Sequence, residues 1–199
     1  MSVPMAHFER MYADSEDPWE YRRRWYERRK RALTLAMLPH ARYARAFEPG
    51  CSIGELSAEL AARCDALLVS DGSEAAVRVA RRRLAPWAHV RVEQRLLPDA
   101  WPEGTFELVV LGEFGYYLDA EALLAVRERA VRSLAPEGVL VACHWRPPIA
   151  EAPLTGDEVH EVLGRARGLH RLARHEEEDF LLEVWSTGAD SVARRERLR

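Results

Sequence analysis

Short apolar runs alternate with longer amphipathic stretches along most of the chain. Runs at 43–47, 67–70, 90–93, 106–111 and 139–144 are rich in β-branched, leucine and aromatic residues. Two of them, Phe106-Glu-Leu-Val-Val-Leu111 and Val139-Leu-Val-Ala-Cys143, are almost continuously apolar, the pattern of parallel strands covered on both faces. Two further runs, at 169–174 and 180–187, are separated only by the polar stretch 175–179 and predict an antiparallel hairpin closing one sheet edge. Helix starts are marked between the runs. Asp17-Pro18-Trp19-Glu20 offers a cap and a first-position proline, predicting a helix to the stop at Pro39. Ser52-Ile-Gly-Glu55 reads as a capping box opening a helix to about Cys64. Ser73 caps a helix ending before Pro86, Asp119 one reaching about Leu134, and Thr155-Gly-Asp-Glu158 one that stops by Gly168. This alternation predicts an α/β fold, a doubly wound Rossmann-like sheet of about seven strands. It occupies 41–188, between an N-terminal helical extension (1–40) and an arginine-rich tail (189–199). Strand order does not follow from the pattern.

Composition narrows the function. The chain has 199 residues, 48% hydrophobic and 31% charged, with a net charge of −3. A chain of this size buries about 70% of its unfolded surface, which supports one sizeable core. Neither the low hydrophobicity nor the high net charge of a disordered chain is present. With a pI of about 6.2 and no domain-wide basic excess, no nucleic-acid partner is expected. No stretch approaches a membrane span. The residues after Met1 lack the apolar middle of a signal peptide, so a cytoplasmic location is expected. Cys51, Cys64 and Cys143 are odd in number and widely spaced, giving neither a disulfide framework nor a metal pattern. The basic run 21–31 reads as a solvated helix face and the basic tail as a frayed end. The single lysine, Lys30, among 28 arginines reads as a habit of composition.

The candidate chemistry sits after the first strand. Glu48-Pro49-Gly50-Cys51-Ser52-Ile53-Gly54 leads into a helix, placing glycines where a nucleotide-type cofactor approaches the backbone. A dinucleotide fingerprint counted from Gly50 would need glycine at Ser52 and Glu55, and a charged Glu55 at the helix–strand contact argues against it. The Glu-x-Gly-x-Gly-x-Gly loop of S-adenosylmethionine enzymes fits as Glu48-x-Gly50-x-Ser52-x-Gly54. Asp71, ending the second strand before Gly72, is then placed to accept hydrogen bonds from both ribose hydroxyls.

These residues and their surroundings resemble the nodulation-protein-S-like (NodS-like) family of S-adenosylmethionine-dependent methyltransferases. The likeness extends over roughly 8–187. It rests on Asp17-Pro18-Trp19, Tyr26-Glu27 with Lys30, the loop from Glu48 to Gly54, Arg63-Cys64-Asp65, Asp71, Trp101-Pro102, Leu111-x-Glu113-x-x-Tyr116-Tyr117-Leu118, His144-Trp145 and Gly156-Asp157-x-Val159-His160. The resemblance implies a class I methyltransferase fold, S-adenosyl-L-methionine as cofactor with S-adenosyl-L-homocysteine as product, and N-methylation of an amine. In the nodulation enzymes that amine belongs to a chito-oligosaccharide.

The implied cofactor contacts are Glu48, Gly50, Cys51, Ser52, Gly54, Asp71, Gly72, Leu96 and Glu113. Leu96 stands where many class I enzymes carry an acidic residue for adenine, so an apolar sandwich and backbone groups are expected instead. Trp19 and Tyr26, seven apart on one predicted helix, would share a face that covers the cofactor. Glu113, with Tyr116, would orient the acceptor amine or take its proton. His144, at the end of the fifth strand, is the general-base candidate, with His160 behind it. A small-molecule acceptor is expected. The alternatives are O-methylation of a small molecule, which would need a base such as His144, and a non-catalytic cofactor-binding module.

Overall fold

A computed structural model describes residues 1–199 in full. The strands are β1 (Tyr43–Pro49), β2 (Cys64–Asp71), β3 (Val90–Gln94), β4 (Phe106–Gly112), β5 (Leu134–Trp145), β6 (His170–Glu176) and β7 (Phe180–Ser186). The helices are α1 (Met5–Asp14), α2 (Trp25–Ala36), α3 (Glu55–Ala61), α4 (Glu74–Leu84), α5 (Ala120–Ser133), α6 (Gly156–Gly164) and the single turn α7 (Val192–Arg195), with a 3-10 turn at Gly115–Tyr117. The sheet has seven strands in the order β3-β2-β1-β4-β5-β7-β6, with β7 antiparallel to both of its neighbours. The expected closing hairpin is present, with β6 at the sheet edge.

Side-chain alternation along each strand divides the core in two. Ala46, Leu108, Val141 and Val184 pack on one face with Leu60 of α3 and Ala80 and Leu84 of α4. Phe47, Val109, Leu140 and Trp185 pack on the other with Val126 and Ala130 of α5 and Leu163 of α6. Each fully buried leucine or phenylalanine contributes about 1.5–3 kcal/mol. Because the chain runs outward from β1 to β3 and then returns to β4, the strand order reverses between β1 and β4. That reversal opens a crevice at their carboxyl ends, the position where open α/β sheets bind ligands.

Three of the expected caps form. Ser73 accepts from Ala76 N, Asp119 from Ala122 N, and Thr155 with Glu158 completes a capping box. Two expectations fail. The helix predicted from Asp17 is absent before α2: Asp17 accepts instead from the amides of Tyr21 and Arg22, and Glu20, at φ 58°, turns the chain left-handed. Trp19 therefore lies in a turn and does not share a helix face with Tyr26. Ser52 does not cap α3 either. The cap is Gly54, at φ 81° and without a side-chain bond, while Ser52 itself sits at φ 50°. α3 consequently ends at Ala61, and Cys64 already belongs to β2. The basic run 21–31 is solvated over Arg22, Arg23, Arg24 and Arg28, but its last two basic residues, Lys30 and Arg31, are buried. The tail carries α7, whose Arg195 donates to His40.

Candidate active site

The crevice holds a cavity of about 1000 Å³. One wall is the loop after β1. Gly50, at φ 70°, lies so close to Phe114 that a Cβ there would stand 3.0 Å from the ring. A side chain there would have to push the Phe114 ring aside, and the left-handed backbone suits glycine. Asp71, at the end of β2, faces the cavity and is anchored by two amides: Ser52 N donates to Oδ2 and Ser73 N to Oδ1, each at 2.9 Å. Each oxygen of Asp71 keeps a lone pair for a further donor. Burial raises its pKa, while the Ser73 and Ser52 amides pull the other way.

α1 and the turn after it form the roof. Tyr12 hydroxyl meets Ser52 Oγ at 2.6 Å, and Phe8 packs edge-on against Tyr117. Val3 N donates to Tyr117 O, Ser2 and Asp119 exchange two hydrogen bonds, and Glu9 accepts from Glu74 N at the start of α4. The N-terminal segment is thus tied to both banks of the cavity. Met5 lies against Gly72 and close to Leu96, giving the apolar surface expected around residue 96.

The far end is polar. Glu113 follows β4 at φ 55° and lines the cavity. Its Oε1 accepts from Lys30 Nζ at 2.5 Å, and its Oε2 accepts from the Tyr116 hydroxyl at 2.6 Å and Trp145 N at 3.0 Å. Lys30 also pairs with Glu27 at 3.2 Å and sits 4.9 Å from the centre of the Tyr26 ring. Burial opposes the lysine charge, but Glu113 and the other acidic neighbours outweigh it and hold Lys30 above its ordinary value. A side recess of about 70 Å³ runs behind the loop and is lined by Glu48, Cys51 and Cys143. Glu48 is buried, its Oε2 has no hydrogen-bond partner, and burial pushes its pKa up to about 8. Burial also raises the Cys51 thiol.

Trp19, Tyr26, Gly50, Ser52, Asp71, Gly72, Leu96, Glu113 and Tyr116 all line the main cavity. Glu48 and Cys51 reach only the recess, and Gly54 packs beside Leu84 at the helix start. His144 is not brought to the cavity. It is fully buried, its Nε2 accepts from Gly115 N at 3.3 Å, and its Nδ1 meets His160 Nε2 at 3.2 Å. His160 Nδ1 in turn meets Glu183 Oε2 at 2.8 Å, and Glu183 Oε1 accepts from Arg171. The Gly115 amide can only donate, which assigns the remaining proton of each ring to Nδ1. Both nitrogens of His144 are thereby engaged, and burial drives its pKa well down. The general-base expectation for His144 is corrected on this geometry. The ring braces the Gly115–Tyr117 turn from behind. His144→Leu should leave the Gly115 amide and His160 Nε2 unpaired, at a cost of about 1–3 kcal/mol in thermal denaturation. Affinity for S-adenosylhomocysteine in calorimetry should change by less than about twofold.

Sequence reasoning passed over Lys30, Glu27 and Tyr21 as site residues. The usable signals were Lys30 as the sole lysine of the chain and its place with Tyr26-Glu27 among the residues that carry the family resemblance.

The nodulation protein S family profile matches residues 6–154. Nodulation protein S of Rhizobium tropici is 35% identical over 130 residues, covering 64% of this chain and 54% of that protein; the chain thus spans about half the length of that curated relative. Among solved structures, a protein assigned as a methyltransferase from Pseudomonas syringae is 53% identical, with a TM-score of 0.74 over 82% of this chain and 99% of that one. The N-methyltransferase NodS from Bradyrhizobium japonicum WM9 in complex with S-adenosyl-L-homocysteine is 26% identical. It superposes with a TM-score of 0.82 over 91% of this chain and 96% of that one.

Proposed function

The chain belongs to the nodulation protein S family, and from that premise we propose that it is an S-adenosylmethionine-dependent methyltransferase that N-methylates a small-molecule amine. The observation that carries this reading is a single cavity with Asp71 at one end and Glu113 at the other. The residues fit the cofactor. Asp71 has a free lone pair on each oxygen for ribose hydroxyls, the bare Gly50 backbone allows close approach, and Glu48 Oε2 is a buried acceptor without a donor. The apolar side chains of Met5 and Leu96 suit an adenine face. When bound, the cofactor supplies a sulfonium methyl group to a nucleophile's lone pair.

The chain's own part is positioning, which is the main contribution a protein makes to an in-line displacement. Glu113 uses three of its four acceptor positions on Lys30, Tyr116 and Trp145 N, leaving one on Oε1 to receive an N–H of the acceptor. Tyr26 and Trp145, packed edge to face, bound the acceptor end with Tyr21. An amine is favoured over a hydroxyl because the histidine that would serve as an alcohol's base is enclosed elsewhere. No helix is long and apolar enough to cross a membrane.

Two measurements bear on this. Mass spectrometry of incubations with S-adenosylmethionine and a panel of amino sugars and other amines should show a product heavier by one CH2 unit. Tight cofactor binding with no S-adenosylhomocysteine formed across the panel would refute catalysis. The second follows from Glu48, which holds its proton below about 8 in the free protein. A cofactor ammonium at its orphan oxygen would favour the ionised form, so binding should release a proton, and affinity should rise with pH up to about 8. Glu48→Gln should abolish that slope in calorimetry. Because the folded pKa is raised, the folded state holds the extra proton between the unfolded value and about 8, and this group's contribution to stability falls as pH climbs through that window. Glu48→Gln should therefore be more stable than the parent at the alkaline end.

A further inference from the structure

The buried ion trio at the acceptor end is larger than amine orientation requires. One carboxylate would suffice to accept an N–H, yet Glu113 shares a lysine with a second carboxylate, Glu27. Two carboxylates at one wall favour the protonated form of any amine beside them. The protonated form is the unreactive one, because an ammonium has no lone pair with which to form the C–N bond as the S–CH3 bond breaks. Lys30 stands between them at 3.2 Å and 2.5 Å, and its side chain is 7% exposed. The groups facing it come from every adjoining element: Tyr26 and Glu27 on α2, Tyr21 in the preceding turn, Glu113 after β4, and Cys143 and His144 on β5. Burial keeps the tyrosines and Cys143 protonated and His144 neutral. Arg31, beside Glu27, is itself paired with Glu59, and burial raises Glu27 while Lys30 pulls the other way. Among the charges in direct contact, removing Lys30 makes the wall one unit more negative.

We propose that Lys30 selects the protonation state of the acceptor: set between Glu27 and Glu113, it offsets their charge so that the site takes the amine as free base and not as ammonium. This rests on the amine-methylating reading above. In that role Lys30 is a positioning and selectivity residue acting through Glu113. A stem packed only for structure would leave the charge preference of the cavity unchanged.

The test does not depend on turnover. 13C-glycinamide, an α-amine with a pKa of about 8 whose carbon shift distinguishes free base from ammonium, is titrated into the parent, Lys30→Met and Glu27→Gln proteins at about pH 6 and about pH 10. S-adenosylhomocysteine binding is measured on the same samples. At the lower pH, Lys30→Met should bind the ammonium at least about tenfold more tightly than the parent, and Glu27→Gln more weakly than the parent. At the higher pH the advantage of Lys30→Met should vanish. The opposite signs are the signature, and should Lys30→Met not fold, the Glu27→Gln comparison decides alone. Equal ammonium affinity across the folded proteins overturns the role of Lys30, and the methyltransferase reading survives that result if S-adenosylhomocysteine still binds. Failure of the parent to bind S-adenosylhomocysteine overturns the methyltransferase reading, while the amine comparison continues to report on Lys30.

Discussion

Asp71→Ala should bind S-adenosylhomocysteine roughly 10- to 100-fold more weakly than the parent. Hydrogen bonds to a charged group contribute about 1.5–3 kcal/mol, and about 1.4 kcal/mol is a factor of ten. The loss has two sources in this fold. The first is the pair of acceptor positions that face the cavity. The second is the loop itself, because Asp71 receives the Ser52 amide and so holds the left-handed turn that brings Gly50 to the cavity wall. Asp71→Asn separates the two. Its amide oxygen can keep one of the two backbone bonds, so it should retain more affinity than the alanine variant. Isothermal calorimetry with S-adenosylhomocysteine reads both, and unchanged affinity in Asp71→Ala would refute the ribose assignment.

The second large effect is expected at Glu113. Alanine there removes the closest partner of a buried lysine and leaves the Tyr116 hydroxyl and Trp145 amide without their acceptor. Breaking a buried ion pair from one side costs about 3–5 kcal/mol. Glu27 stays beside Lys30, so the lower end applies, and Tm should drop by roughly 6–12 °C for a chain of this length. Turnover of an amine should fall at least about 100-fold, since a displacement of about 1 Å at an aligned centre is enough for that. Glu113→Gln keeps the shape and an acceptor for Tyr116 but still removes the charge that Lys30 pairs with, so only part of the stability should return. If turnover returns with it, the carboxylate charge is not needed and Glu113 serves only as scaffold.

The legible part of this molecule was the part written locally. Apolar runs gave all seven strands, and Ser73, Asp119 and Thr155 gave three helix starts, because a strand's alternation and a cap's single hydrogen bond are short-range facts. The errors fell where distant residues decide. Ser52 has the spacing of a cap but is claimed by Asp71 and Tyr12, 19 and 40 positions away. Asp17-Pro18 starts only a turn because Glu20 breaks the path into α2. α1 has no side-chain cap to announce it, although Met5, Phe8 and Tyr12 carry the spacing of one helix face. The site divides in the same way. Gly50, Asp71 and Glu113 were readable because each ends a strand in an α/β sheet. Lys30 was not, since its partner lies 83 positions away across the crevice. His144 misled for the converse reason: it too ends a strand, but its ring turns into the layer beneath α6 and is claimed by His160.

That enclosed run from His144 through His160 to Glu183 equips the molecule with a built-in gauge. Imidazole N–H protons sealed from water exchange slowly, so both should give resolved downfield proton resonances in ordinary aqueous buffer. Every variant discussed above except His144→Leu, which lacks one of the two rings, can then be screened by one quick spectrum, in which loss of those two lines marks a disturbed interior before any ligand is added.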